Sequence, residues 1–551
     1  MPSQPNASPQ PFSGRLPWQA RVDRFFEFEY LPFILGLMFV LTLGGVPLFD
    51  LDEGAFSSAT MEMLKRGDFL TTYMGGELRF DKPILIYWLQ AASVSLFGLH
   101  EFALRLPSAL CATGWMLGIF YFVKQFLDVS RANTAAVLMA TSLIVSIIGR
   151  AATADALLNV LLCLSLLDAY RFFMAHKNGD RNSARIAWRA YAWVGLGVLA
   201  KGPVAIAIPM VTMSLFAVFT GSWSAWGKLV FNPIGWVICA TIFLPWYLAE
   251  YAVQGQAFVE GFFLKHNVSR FTNTLEGHGG HWYYYGPMSL LVFMPASGLY
   301  LSLWLRGKQL LASHFDMWCC CWFGVVLVLF SFSKTQLPHY LLYGSTPIFI
   351  LMAKYREQLR SPWAVLLPAS VFLLAFLALP EIAQHLIATS KDAKLVASLR
   401  DGLNNFDLSY RFEIATGLVA IIAISLLAPL RVWQRQLLVC AVFSGVVIHK
   451  ILPTAAAVQQ QPVVEAAAFA KNLTAPIVMY HQDMPSFSVH LQRVVEIREP
   501  AAGEILFTAI NELHRYPTAS VLFSKGSVVL AKIGAVTEPS VAPPPMTDPS
   551  H

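Results

Sequence analysis

Long apolar runs alternate with short polar loops from residue 30 to residue 452. The runs are 30–49, 109–123, 132–149, 156–174, 190–200, 204–220, 231–248, 284–304, 317–333, 340–353, 363–379, 412–430 and 436–452. Most approach the roughly 20 apolar residues that carry a helix across a bilayer. The pattern predicts an α-helical polytopic membrane protein with about thirteen spans. From residue 453 the pattern changes: APIVMYHQ, SVHLQRVVEI, EILFTAI and SVVLAKIG have the length and character of strands, while 462–473 and 503–514 look helical. A small α/β domain is expected at 453–535, followed by a Pro/Ser-rich tail, 536–551, expected to be disordered.

Basic residues orient the spans. Arg15, Arg21 and Arg24 precede the first run, and the 171–189 loop carries Arg171, Lys177, Arg181, Arg185 and Arg189. The positive-inside rule therefore puts 1–29 and 171–189 in the cytoplasm, and the 50–108 loop and the C-terminal domain on the other side. Parity leaves no room for 83–99 to cross, so it is expected to be a juxtamembrane helix anchored at the interface by Tyr87 and Trp88.

Composition agrees with this architecture. The chain is 56% hydrophobic and 13% charged, with a mean hydropathy of +0.54. The net charge of +6 is modest, and no nucleic-acid partner is expected. All seven cysteines fall in apolar runs, without metal-ligand spacing or the context of a disulfide framework. No nucleotide-binding motif is evident.

Against so few charges, the stretch 49–88, FDLDEGAFSSATMEMLKRGDFLTTYMGGELRFDKPILIYW, stands out. Asp50, Asp52 and Glu53 follow an apolar run directly, where acids are expensive unless they have a partner or a task. This stretch resembles the first external loop of the GT-C membrane glycosyltransferases that use polyprenyl-phosphate sugars. RLPSAL at 105–110, RxAxxD ending at Asp155, LAKGP at 199–203, HNVSRF at 266–271 and KTQLPHYLL at 334–342 extend the resemblance in order over 30–350. Within that family the chain looks most like the bacterial lipid A aminoarabinose transferases, relatives of the protein O-mannosyltransferases.

The resemblance implies a catalytic domain at 30–452 with its site on the periplasmic face of the inner membrane. It implies an undecaprenyl-phosphate sugar as donor and lipid A as acceptor. Asp52 falls at the family's catalytic acid and Asp155 at its second acidic position, while Glu53 is shared between catalysis and shaping the loop. Lys82, Arg270 and Tyr340 match positions that contact the polyprenyl phosphate. Lys201 and Lys334 are further cations at that level, equally readable as interfacial lysines. The family has been linked to zinc, for which Asp81, His266 and His278 are the ligand candidates, with imidazole and carboxylate suited to that ion. Phe56 and Arg79 stand where the family carries tyrosines, which leaves the donor sugar open. Rival readings are a polyprenyl-phosphate-sugar transferase acting on protein or another glycan, and a lipid-linked sugar flippase.

Overall fold

The computed structural model describes residues 17–268 and 280–534. Six helices among them are long and apolar enough to cross a membrane, and a seventh span results if Pro362–Leu377 and Leu379–Thr389, bent by 47°, are one. Every expected run is helical in whole or part, yet fewer are continuous than the pattern predicts. Run 132–149 breaks at Ser142 into Val129–Thr141 and Leu143–Ile148, and the Ser142 hydroxyl donates to Val292 O at 2.5 Å. Run 284–304 splits into Tyr285–Val292 and Ser297–Trp304, and 340–353 opens as the 3-10 turn Pro338–Gly344. These interruptions lie inside the protein, where neighbouring helices satisfy the freed backbone groups. Leu37, Met38, Leu41, Leu110, Val237, Val371 and Leu427 expose their side chains, as lipid-facing residues do.

Residues 83–99 form the short helix Leu85–Phe97, packed between Asp52–Arg66 and Glu101–Phe126. Trp88 is partly exposed and donates to Phe69 O at 2.7 Å. Tyr87 differs from expectation: it is fully buried and stacks on Phe56 at 5.5 Å, so it packs the loop together instead of facing the interface.

The Asp52–Arg66 helix begins with two acids and ends with Lys65 and Arg66, both matched to the helix dipole, and Gly67 closes it at φ 68°. Its small residues, Gly54, Ala55, Ser57, Ser58 and Ala59, are buried and let neighbouring segments approach.

The last apolar run is part of one helical rod, Val432–Gln459, that overshoots the expected boundary at 453. Beyond it, a five-stranded mixed sheet has the order Glu496–Ile497, Ile477–Met479, Ile505–Ala509, Val528–Lys532, Ser520–Lys525. Ile477–Met479 pairs in parallel with both of its neighbours, and the remaining pairings are antiparallel. The helix expected at 503–514 is instead the central strand Ile505–Ala509, buried at every position, followed by a 3-10 turn. A short apolar run cannot by itself distinguish a buried strand from a helix. SVHLQRVVEI is likewise mostly not strand, since it starts in the helix Ser486–Leu491 and pairs only over Glu496–Ile497. The tail 536–551 lies outside the described residues.

This small domain sits on the loop that carries Asp52. Asp50 Oδ1 accepts from Ser486 N at 3.0 Å and Oδ2 from the Ser486 hydroxyl, so Asp50 caps the Ser486–Leu491 helix. Lys65 Nζ donates to Gln492 O at 2.5 Å. Gly54 is required here, because a Cβ would lie 1.9 Å from Asp50 Oδ1 and 2.6 Å from Ser486 N.

Burial pushes the Asp50 carboxyl up from 3.8 to about 7, against the opposing hydrogen bonds from Ser486. The folded protein therefore holds this proton between those two values while the unfolded chain releases it. The contribution is largest below pH 3.8, declines as pH rises to about 7 and is then constant. Thermal unfolding at pH 5.5 and 8 should show wild type gaining about 2 kcal/mol on acidification relative to Asp50→Asn. Equal pH slopes for the two proteins would contradict the burial of the Asp50 carboxyl.

Candidate active site

A hairpin positions the basic wall of the site. Tyr73–Met74 pairs with Glu77–Leu78, and the Glu62 carboxylate accepts from Gly75 N at 2.6 Å and Gly76 N at 3.2 Å. Arg79 N donates to Thr72 O at 2.9 Å. Pro83 then leads into the Leu85–Phe97 helix, which holds Arg79, Asp81 and Lys82 at the end of the hairpin.

Asp81 lies between a guanidinium and an imidazole. Arg79 Nη2 donates to Oδ2 at 2.9 Å, and His266 Nε2 lies 2.7 Å from Oδ1. Burial alone would raise the Asp81 pKa, but the His266 hydrogen bond and the charges of Arg79 and Lys82 hold it well below the usual carboxylate range. Arg79 is largely buried. Burial opposes its charge, while Tyr87, Asp81 and Asp52 support it and raise its pKa. The Arg79 guanidinium also lies over the Phe56 ring at 5.5 Å.

A cavity of about 550 Å³ opens beside this group, lined by Asp81, Lys82, Lys201, His266, Ser333, Tyr340 and Tyr343, with Val204, Phe262 and Phe330. Lys82 Nζ donates to Asp81 O at 3.1 Å. On the far wall, Asp155 Oδ1 accepts from Lys201 Nζ at 2.5 Å and from the Tyr343 hydroxyl at 2.7 Å, with His339 Nε2 at 3.6 Å. Lys201 also lies 5.6 Å from the Tyr340 ring centroid. Asp155 opens the Asp155–Lys177 helix without capping it through its side chain, so its carboxylate serves this cluster and not the helix amides. Lys201, one-tenth exposed and paired, is no snorkelling lysine.

A second cavity, of about 930 Å³, is lined by Asp50, Asp52 and Glu53 of the same turn. Asp52 lines it from the first turn of its helix and stays exposed. Its charge also favours the charged form of Arg79.

Glu53 departs from its catalytic expectation. Its oxygens take the Arg105 guanidinium at 2.7 Å on each, Ala152 N at 2.7 Å and Phe49 N at 2.9 Å. Arg105 spends its other donors on Leu43 O, Val46 O and Pro47 O. A carboxylate held this way organises the loop and has no lone pair directed at a substrate.

Lys334 is exposed and is not among the residues lining either cavity; its neighbour Ser333 is. Arg270 and His278 lie outside the described residues. Asp81 and His266 are bound to each other, and among the described residues no three His, Cys, Asp or Glu side chains gather as a metal would need. The described residues do not assemble the expected zinc site, and no step is assigned to a metal. Arg79 Nε, Tyr87 Oη and His266 Nδ1 are buried without a hydrogen-bond partner among them.

Tyr343 and His339 were not foreseen. The signal was present in KTQLPHYLL and the tyrosine that follows it: residues three apart eclipse in a 3-10 turn, and the Tyr340 and Tyr343 rings stack at 6.0 Å.

The chain is similar to known proteins in sequence and fold. The family described as dolichyl-phosphate-mannose-protein mannosyltransferase matches residues 81–248. An uncharacterized protein of Aquifex aeolicus is 31% identical over 313 residues, 56% of this chain and 68% of its own. The chain belongs to the GT-C membrane glycosyltransferases. Among other members, the undecaprenyl phosphate-alpha-4-amino-4-deoxy-L-arabinose arabinosyl transferase of Serratia proteamaculans is 27% identical over 335 residues, covering 59% of this chain and 58% of the relative. The match thus spans little more than half the length of that relative. The fold extends further than the sequence similarity. ArnT from Cupriavidus metallidurans, solved bound to undecaprenyl phosphate, superposes with a TM-score of 0.76 at 18% identity, over 91% of this chain and 97% of that one. For a GT-C member, a cation-lined cavity next to an exposed acid is where chemistry is to be sought.

Proposed function

We propose that this chain transfers 4-amino-4-deoxy-L-arabinose from undecaprenyl phosphate to phosphate groups of lipid A, at the periplasmic face of the bacterial inner membrane. The observation that carries the reading is the cavity in which Lys82, Lys201 and Tyr340 converge, lined also by Asp81, whose carboxylate is paired with Arg79. The names of the arabinosyl transferase relatives support the donor and sugar.

In this reading the sugar's anomeric carbon leaves the donor phosphate oxygen and bonds to an oxygen of the acceptor phosphate. The departing phosphate gains negative charge as the bond breaks, so Lys82 and the Tyr340 phenol, joined by Arg270, stabilise the transition state more than the bound donor. The acceptor phosphate is already anionic and needs no base. Asp52 therefore supports positive charge on the sugar ring. Asp155 orients Lys201 and Tyr343 through its ion pair and hydrogen bond.

Lys82→Gln should weaken undecaprenyl phosphate binding about 10–100-fold, the scale of one charge-assisted hydrogen bond. Equilibrium binding in nanodiscs reads it, and an unchanged dissociation constant would remove Lys82 from the donor site.

The match to the mannosyltransferase family favours a second reading, with the same donor chemistry and a protein or other glycan as acceptor. Mass spectrometry of lipid A from cells with and without the protein separates the two. A mass increment equal to one aminoarabinose supports the first reading, and unchanged lipid A overturns it. A successful transfer would also lower the negative charge of lipid A and weaken binding of cationic peptides such as polymyxin.

A further inference from the structure

The charges lining the second cavity are Asp50, Asp52, Glu53, Arg105 and Arg150. Asp50 is bound to Ser486, and Glu53 and Arg105 are bound to each other. Arg150 is different. It is 92% buried by its 8% exposure, and no carboxylate lies within ion-pair distance among the described residues. An enclosed charge without a counter-ion is costly, and cations kept in that state near a bilayer usually serve a ligand.

Arg150 is also held in one pose. Nε donates to Thr42 Oγ1 at 2.7 Å, Nη1 to Ser146 O at 2.9 Å and Nη2 to Met38 O at 3.1 Å, and the guanidinium lies over Phe39 at 4.7 Å. A guanidinium has five N–H donors, so one remains on each terminal nitrogen, the fork that grips a phosphate with two parallel bonds. Apart from Thr42 and Thr153, the rest of the lining is apolar, with Ile147, Ile148, Ile448 and Leu452 on its walls.

We propose that this cavity receives the acceptor, a phosphate-bearing acylated lipid, and that Arg150 is the residue that holds its phosphate. The donor phosphate occupies the other cavity, with Lys82, and Asp52 faces the acceptor cavity from the first turn of its helix. This inference rests on the proposed transfer to a lipid phosphate, and binding can test it apart from turnover.

The test uses the full-length protein in phosphatidylcholine nanodiscs, with lipid A bisphosphate and its dephosphorylated form as probes. Wild type should bind the phosphorylated form at least about tenfold more tightly. Arg150→Gln should erase that preference and Arg150→Lys should restore part of it, while the undecaprenyl phosphate dissociation constant and the thermal midpoint stay near wild type. A wild type that binds both forms equally, or an Arg150→Gln variant that keeps the preference, overturns the proposal. So does an equal loss of donor affinity in Arg150→Gln. If the phosphate preference depends on Arg150 but no sugar reaches lipid A, the acceptor site stands and the transfer reading falls. If sugar is transferred without any Arg150-dependent preference, the site assignment alone falls.

Discussion

Asp52→Asn should fold, bind undecaprenyl phosphate within about twofold of wild type, and lose sugar transfer by a factor on the order of 10²–10⁴. The side chain is exposed in the first turn of its helix and has no hydrogen bond among those found in the described residues. Losing its charge costs the fold only the modest helix-dipole term of about 0.3–1 kcal/mol. It lines the second cavity from an exposed position, where its carboxylate is open to a sugar. A separation of effects is therefore expected, with turnover collapsing while donor affinity and thermal midpoint barely move. If transfer and donor affinity fell together, Asp52 would belong to donor binding.

The neighbouring acid should behave in the opposite way. Glu53→Ala leaves the Arg105 guanidinium, 4% exposed in its side chain, without a counter-charge. Removing one partner of a buried pair typically costs 3–5 kcal/mol, enough to unfold a marginal protein. The loss should spread, because Glu53 also accepts from Phe49 N and Ala152 N and so ties the Asp52 turn to the segment before Asp155. Thermal unfolding should show a large drop, partly recovered when Arg105→Met is added. Glu53→Gln, which retains the shape, should keep far more transfer per folded molecule than Asp52→Asn. A stable, inactive Glu53→Ala protein would return Glu53 to the catalytic group.

These adjacent acids show where sequence stops informing. Both stood out as carboxylates beside an apolar run, and nothing local separates them. Consecutive helical residues point about 100° apart, and only the packing shows that one faces a cavity and the other faces Arg105, 52 residues away. Asp155 was legible as a functional acid because it opens a span, but Lys201 and Tyr343 reach it from 46 and 188 residues away. The spans were legible for the same reason that any long apolar run is. Their interruptions were not, since the break at Ser142 depends on a carbonyl of Val292 that lies 150 residues on. Arg150 passed as one letter of a motif, and its missing counter-ion is visible only when its whole surroundings are known. In the C-terminal domain, EILFTAI supports a strand and a helix equally until its two neighbouring strands are in place.

The measurement that tests the central claim most directly is transfer by the purified protein in nanodiscs, with undecaprenyl phosphate carrying a labelled aminoarabinose and lipid A as acceptor. Label is expected to move to lipid A with equimolar release of undecaprenyl phosphate, and both should fall at least about a hundredfold in Asp52→Asn. Label that stays on undecaprenyl phosphate while the lipid crosses the bilayer would contradict it and identify a carrier of the lipid-linked sugar.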